Sequence, residues 1–251
     1  MKQLSFSFFR YRASYAPAAF VVMGFQRLLK GRSLRTRTVQ LMGCGGRDGF
    51  SILPDLKTYV LVSLLSEPAE IEAVRATTLY RVVSKPAVER LHFRLSPLSG
   101  HGAWNGRQVL DYSGARQDPH RPFAVLTRAR VDPARAKDFW RAVPRVRRFL
   151  RAHPGCAYAQ GFGEHPLLSL ATFSVWEDLN AMRSFAYGDS PHHRTAKAAV
   201  HDGWLSESLF ARLALLDVGG DVDRYPMLAR LAPRQEMPDE GRDGVSMHGG
   251  D

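Results

Sequence analysis

The sequence predicts an α+β protein built from two βαββαβ units that pack together as one internally paired α/β barrel. Three observations lead there. The hydrophobic pattern switches between period two and period 3.6 in the same order twice, short motifs recur at an offset of about 110 to 120 residues, and a glycine-rich polar stretch separates the copies.

In the first copy, residues 4–10 alternate as a strand, 15–30 read as a helix, and strands follow at 37–43 and 57–65. A helix from Pro68 and a strand over 88–95 complete it. The second copy has a strand at 122–131, a helix at 133–152, strands at 157–161 and 166–175, a helix at 177–186 and a strand at 206–216. Leu65-Ser66-Glu67 before an acidic helix matches Val175-Trp176-Glu177, and Gly43-Cys44-Gly45 matches Gly161-Phe162-Gly163. This order is ferredoxin-like. Each unit covers one sheet face with its own helices and leaves the other face for its twin. The expected organisation is a first unit at 1–98, a linker at 99–121, a second unit at 122–218, and a largely disordered tail at 219–251.

With 251 residues and 45% apolar content, the chain has enough material for a sizeable core. Its longest apolar run, 17–25, is too short to span a bilayer, is followed by Arg27, Lys30 and Arg32, and lacks a small-residue cleavage pattern. It reads as an amphipathic helix, and the protein is expected in the cytoplasm. Cys44 and Cys156 belong to no CxxC or zinc spacing, so a disulfide-framework fold is excluded. The net charge of +11 suits anionic lipid or an acidic electron-transfer protein as well as phosphates.

No GxSxG, HExxH or P-loop occurs, so hydrolase and kinase chemistry has no residues to stand on. The glycine run at 43–49 has the spacing GxGxxxG and opens no helix, so it is read as a chain reversal between strands rather than a dinucleotide loop. The helix at 133–152 alternates Arg141, Arg145, Arg147, Arg148 and Arg151 with Phe139, Trp140, Val143, Val146 and Phe149. Its basic stripe reads as a solvated face, with contact to a membrane or an acidic protein as the functional reading.

The second copy carries an insertion that the first lacks. Ser190-Pro191-His192-His193 opens an alanine-rich helix, with proline at a first-turn position where its missing N–H costs nothing. From His192, the positions three, four, seven and eleven residues on are Thr195, Ala196, Ala199 and Gly203, all small, so a flat ligand has room against that face. From His193 the face holds Ala196, Lys197 and Val200, a poorer wall. By spacing alone, two adjacent histidines at a helix start read as surface residues.

Six segments change that reading: the glycine run ending in Gly49-Phe50, Leu126-Thr127-Arg128-Ala129, Gly161-Phe162-Gly163-Glu164 followed by Pro166, Thr172-Phe173-Ser174-Val175-Trp176, Ser190-Pro191-His192, and Glu207-Ser208-Leu209-Phe210-Ala211-Arg212. With these in order between residues 4 and 216, the chain resembles the acyclic carotenoid 2-ketolase, or spheroidene monooxygenase, family. The resemblance implies haem b held by a neutral imidazole of His192, with His193 as the alternative ligand and Thr195, Ala196 and Ala199 against the macrocycle. Trp176, Phe185 and Trp204 flank the histidine segment; such aromatics ordinarily build core, and their functional reading is a substrate pocket. The resemblance further implies O2 as co-substrate, reduced ferredoxin as electron donor, and a C-2 keto group placed on an acyclic carotenoid by successive hydroxylations. Contact with the inner face of the membrane stays open, nucleic acid is not expected, and no distal acid or donor is named.

Alternatives remain at this point. A thiolate from Cys44 or Cys156 would replace the histidine; a non-haem iron site would draw on His192, His201 and Asp202. The same fold with haem also suits a dehydratase that needs no O2. A colourless, non-catalytic basic α+β binding module is the reading from a different class.

Overall fold

Strands rich in β-branched and aromatic residues that alternate apolar on both faces must be covered on both sides, and a closed sheet wrapped by helices does that. The computed structural model describes residues 2–29, 39–46, 51–115, 117–165, 167–187 and 190–233. Its strands are β1 (Gln3–Arg10), β2 (Val39–Gly45), β3 (Pro54–Leu65), β4 (Glu89–Gly102), β5 (Phe123–Val131), β6 (Cys156–His165), β7 (Ser169–Trp176) and β8 (Leu205–Gly220). The helices are α1 (Ala16–Leu29), α2 (Glu70–Arg75), α3 (Thr78–Ser84), α4 (Ala136–Ala152), α5 (Leu179–Ala186), α6 (Pro191–His201) and α7 (Pro226–Leu231).

The strands close into a barrel in the order β1-β3-β2-β6-β7-β5-β8-β4, with every neighbouring pair antiparallel. The half up to β4 runs β2-β3-β1-β4 and the half from β5 runs β6-β7-β5-β8, so the spatial order repeats. One seam is long, with β4 paired to β8 from Leu91↔Gly220 to Gly102↔Leu209. The other is short, holding Gly43↔Gly163 and Cys44↔Phe162.

Alternation sends Leu4, Phe6 and Phe8 of β1 into the barrel, where they meet Phe93, Phe162 and Phe173. Phe173 lies 4.9 Å from Phe6 and 4.8 Å from Phe93 between ring centroids, so the lumen is a packed aromatic core rather than a channel. Outside, α1, α2 and α3 cover the first half over Phe9, Tyr11, Tyr59, Leu61 and Leu65. Helices α4 and α5 cover the second half over Phe123, Val125 and Trp176.

Several expectations change. The helix expected from Pro68 is two short helices, because Thr77 breaks the first and its side chain caps the second by accepting from Tyr80 N at 3.1 Å. The linker expected from residue 99 begins inside β4, where Ser99 pairs with Arg212 and Gly102 with Leu209. Glycine permits this: a Cβ on Gly100 would sit 2.6 Å from the Tyr112 hydroxyl, and Gly102 has φ +96°. Residues 219–233 are ordered: β8 reaches Gly220, Tyr225 donates to Glu89 at 2.6 Å, and Leu228 on α7 is buried. The remainder of the expected tail, 234–251, lies outside the described residues, as do residues 47–50 of the glycine run. Among the described residues no helix is long and apolar enough to cross a membrane.

Candidate functional site

Between the outer face of the second half-sheet and its helices lies a cavity of about 380 Å³. Its sheet wall mixes short side chains, Val125, Thr127 and Ala129 on β5, Thr172 and Ser174 on β7 and Ser208 on β8, with the larger Leu170, Trp176 and Phe210. Thr127 pairs with Thr172 on one side and Phe210 on the other, so two hydroxyl residues lie side by side in that wall. Helix α4 supplies Phe139, Trp140, Val143, Val146 and Leu150, while Arg141, Arg145, Arg148 and Arg151 stay exposed. The arginine stripe is thus the outer face of a helix whose apolar stripe closes the cavity.

Helix α6 brings the imidazole. Ser190 is its N-cap, accepting from His193 N at 3.0 Å, and Pro191 fills the first position, so His192 projects from the first turn. Its ring lies 4.7 Å from that of Phe185 on α5. Nδ1 of His192 is buried with no hydrogen-bond partner. Burial lowers its pKa, the Ala186 carbonyl partly offsets this, and neighbouring His193 lowers it further. Neutral imidazole, the form that ligates metals, is therefore the form present at neutral pH.

Of the residues singled out in the sequence, His192, Thr195, Ala196, Ala199, Trp176 and Phe185 all line this cavity. Trp176 donates its indole N–H to Ser174 Oγ at 2.9 Å, which fixes the ring at the cavity's edge. Trp204 is buried but lies outside the lining: its N–H donates to the Ala199 carbonyl at 2.9 Å and its own carbonyl accepts from Asp132 N at 2.8 Å. It anchors the end of α6 instead of bordering the space. His193 also lies outside the lining, its ring 6.3 Å from that of Tyr187.

The rival ligand sets are not assembled at the cavity. Cys44 is buried in the barrel and Cys156 starts β6, and burial pushes both thiols up, Cys156 to about 12, so neither is a ready thiolate. His201 is exposed at the far end of α6, paired with Asp202 at 2.7 Å, nine positions or roughly 13 Å along the axis from His192. Among the described residues, no three His, Cys, Asp or Glu side chains are grouped to hold a metal ion.

One polar cluster has no counterpart in the sequence expectations. Arg128, whose side chain is 2% exposed, points from β5 into the barrel end, pairing with Glu207 of β8 and with Glu164 of β6 at 3.3 Å. It donates to Asn105 Oδ1 at 2.8 Å and lies over the Trp104 ring at 5.2 Å. Trp104 in turn donates to Glu164 Oε1 at 2.6 Å, and the N–H groups of Asn105 and Gly106 donate to Glu207. Partial burial pushes the Glu207 carboxyl up, but these N–H groups and the guanidinium outweigh it and hold the carboxyl below its usual range. The cluster ties the 103–107 turn, which needs positive φ at Asn105 and Gly106, across three strands.

The chain is 31% identical over 217 residues to the spheroidene monooxygenase of Rhodobacter capsulatus, covering 84% of this chain and 90% of that protein. The chain belongs to the spheroidene monooxygenase family. The Rubrivivax gelatinosus spheroidene monooxygenase is 32% identical over 211 residues, covering 82% and 80% of the two chains. No protein-family model matches the chain. Among solved structures, an aldoxime dehydratase covers 85% of this chain and 81% of its own with a TM-score of 0.57 at 13% identity. A second, in complex with butyraldoxime, gives 0.55 at 12%, covering 86% and 80%. At these identities the likeness is one of fold.

Within the spheroidene monooxygenase family reading, the segments that carried the resemblance collect on one side of the molecule. Residues 126–129, 172–176 and 207–212 lie on β5, β7 and β8 behind the cavity, and 190–192 open α6 in front of it. Residues 161–164 on β6 lead to Glu164 and the Arg128 cluster. Gly49 and Phe50 lie outside the described residues.

Proposed function

We propose that this member of the family is a haem-dependent monooxygenase that places a C-2 keto group on an acyclic carotenoid, with His192 as the residue that would hold the haem iron. The single observation that carries this reading is His192: a neutral imidazole with an unpartnered nitrogen, facing an apolar cavity whose sheet wall is small enough to admit a flat ring. The residues fit the group. Thr195, Ala196 and Ala199 extend the His192 face without bulk, and Phe185 holds the imidazole against α5. The same proposal treats the two halves as ferredoxin-like units, the first at 1–98 and the second at 122–218.

Bound there, haem would supply the activation of O2, with reduced ferredoxin as the electron donor. The protein's part is to exclude water and position the substrate. Val143, Val146, Leu170 and Phe210 give an apolar wall for the end of a polyene, while Thr127 and Thr172 are among the lining hydroxyls that would orient a polar end group. In each hydroxylation, one oxygen atom enters a C–H bond and the other leaves as water, consuming two electrons and two protons. A second hydroxylation at the same carbon gives a geminal diol, which loses water to the ketone.

An absorption spectrum of protein expressed with haem supply tests the reading. Wild type should show a Soret band that shifts on reduction and CO addition, and His192→Ala should lose it while keeping the wild-type circular dichroism. A colourless wild type, or an unchanged band in the variant, overturns it. Turnover that persists without O2 and reductant would favour dehydration on this fold instead.

A further inference from the structure

A surface helix ordinarily turns its polar residues outward. Helix α1 does the opposite. Its uncharged polar side chain, Gln26, faces inward, where Nε2 donates to the Leu41 carbonyl at 2.9 Å and Oε1 accepts from Leu41 N at 2.7 Å. Ala16 and Ala19 are buried against the sheet, with Val22, Met23 and Leu29 packed beside them. The outward face carries Phe20, Val21, Phe25 and Leu28, which are 54%, 55%, 62% and 74% exposed. At 100° per residue these four fall within one stripe about 140° wide, with Gly24 between them and Arg27 at its edge.

The exposure is concentrated. Ile52, Leu53 and Leu56 are exposed as well, so seven of the twelve exposed large hydrophobic side chains among the described residues fall between positions 20 and 56. The α1 stripe is itself a contiguous exposed apolar patch, which marks a surface that something covers. Charge identifies the occupant: the first 47 residues hold nine Lys and Arg and no Asp or Glu. Of the described ones, Arg12 precedes α1 and Arg27 borders its apolar stripe, both exposed; two copies meeting through this face would bring these like charges together, whereas an anionic bilayer surface attracts them. At 14 residues, about 21 Å, the helix is too short to span but long enough to lie in the headgroup plane with its apolar stripe sunk below it.

We infer that α1 is a membrane-interfacial helix that docks the protein on anionic lipid through Phe20, Val21, Phe25 and Leu28. This surface covers the first half of the barrel, apart from the His192 cavity, and stands or falls independently of the reading of that cavity.

The test is flotation of the full-length protein with vesicles of phosphatidylcholine alone and of phosphatidylcholine mixed equally with phosphatidylglycerol. Wild type should bind the mixed vesicles and bind less as salt rises. The double variant Phe20→Ser, Phe25→Ser should bind at least about tenfold more weakly, since two aromatic side chains no longer leave water. Leu28→Asp, at the most exposed of the four positions, should do the same with an unchanged melting temperature. Equal binding to both vesicle types, variants that bind like wild type, or a wild-type dimer that the double variant converts to monomer in light scattering would each overturn the inference.

Discussion

Replacing Arg128 by leucine removes the cation that faces both Glu164 and Glu207 at the barrel end. Two carboxylates are then left without their counter-charge in a site where Arg128 itself is 2% exposed. Breaking a buried pair of this kind costs about 3–5 kcal/mol. Glu207 keeps the Asn105 and Gly106 N–H groups, and Glu164 keeps the Trp104 indole, so the lower end of that range applies. For a chain of this size, about 3 kcal/mol lowers the melting temperature by roughly 6–12 °C. The pH dependence is diagnostic. The guanidinium is one of the groups that hold the folded-state Glu207 carboxyl below its usual range, so the stability it adds is present above the unfolded carboxylate pKa and is lost as pH falls through it. Urea unfolding of wild type, Arg128→Leu and Arg128→Lys at about pH 7 and about pH 3 reads this out, with lysine restoring charge but not the planar fork. A leucine variant within about 1 kcal/mol of wild type at neutral pH, or a deficit equal at both pH values, would refute the reasoning.

Three further outcomes follow from the geometry. Partial burial, with Arg75 and Arg90 nearby, lowers the His92 pKa to about 4, so the unfolded chain takes up a proton first as pH drops below 6.5. Stability is lost from there downward, by about 2 kcal/mol at pH 5, and His92→Asn should flatten that part of the urea-unfolding profile. Ala199→Phe projects a ring into the cavity beside His192, so haem uptake read by Soret absorbance should fall at least about tenfold with the fold retained. Normal uptake would show that the cavity is not the haem site. Ser190→Ala removes the α6 cap at a cost of about 1 kcal/mol. Amide exchange in the first turn of α6 should quicken roughly fivefold, and unchanged exchange would deny the cap its role.

What could be read from the sequence was local. Alternation of Leu4, Phe6 and Phe8 marks β1, and Ser190-Pro191 marks the start of α6, because each signal is complete within a few residues. The small face at Thr195, Ala196 and Ala199 was legible for the same reason. Trp204 was not: bulk and apolarity say that it is buried but not on which side of α6. The strand character of Ser99 to Gly102 was hidden because glycine scores as loop, while its use here is to let β8 approach closely. Arg128, Glu164 and Glu207 stand in three motifs 36 and 79 residues apart from Arg128, and nothing in any one of them says that barrel closure will join them. Helix α1 read as amphipathic, yet it is apolar toward both core and solvent, a distinction that periodicity alone blurs.

The two halves share strand order but not side-chain size, and that difference explains why the candidate site lies on one of them. On the first half, the outer sheet face presents Phe9, Tyr11, Tyr59, Leu61 and Leu65, large enough to fill the space beneath α1, α2 and α3. On the second, the corresponding layer interleaves Phe123, Trp176 and Phe210 with the short Thr127, Ala129, Thr172, Ser174 and Ser208, and a cavity lies between it and α4 and α6. Filling that volume with protein would require only longer side chains, as the first half shows, so the short ones are a structural cost that a bound group can offset. The helices complete the division. Helix α4 keeps Arg141, Arg145, Arg148 and Arg151 in water and turns Phe139 and Trp140 to the cavity, whereas α1 turns its aromatics to solvent. A carotenoid is too apolar to cross water freely, so a protein that acts on one is served by an apolar cavity together with the lipid-docking surface inferred for α1. The fold supplies them from the same helix position in its two halves.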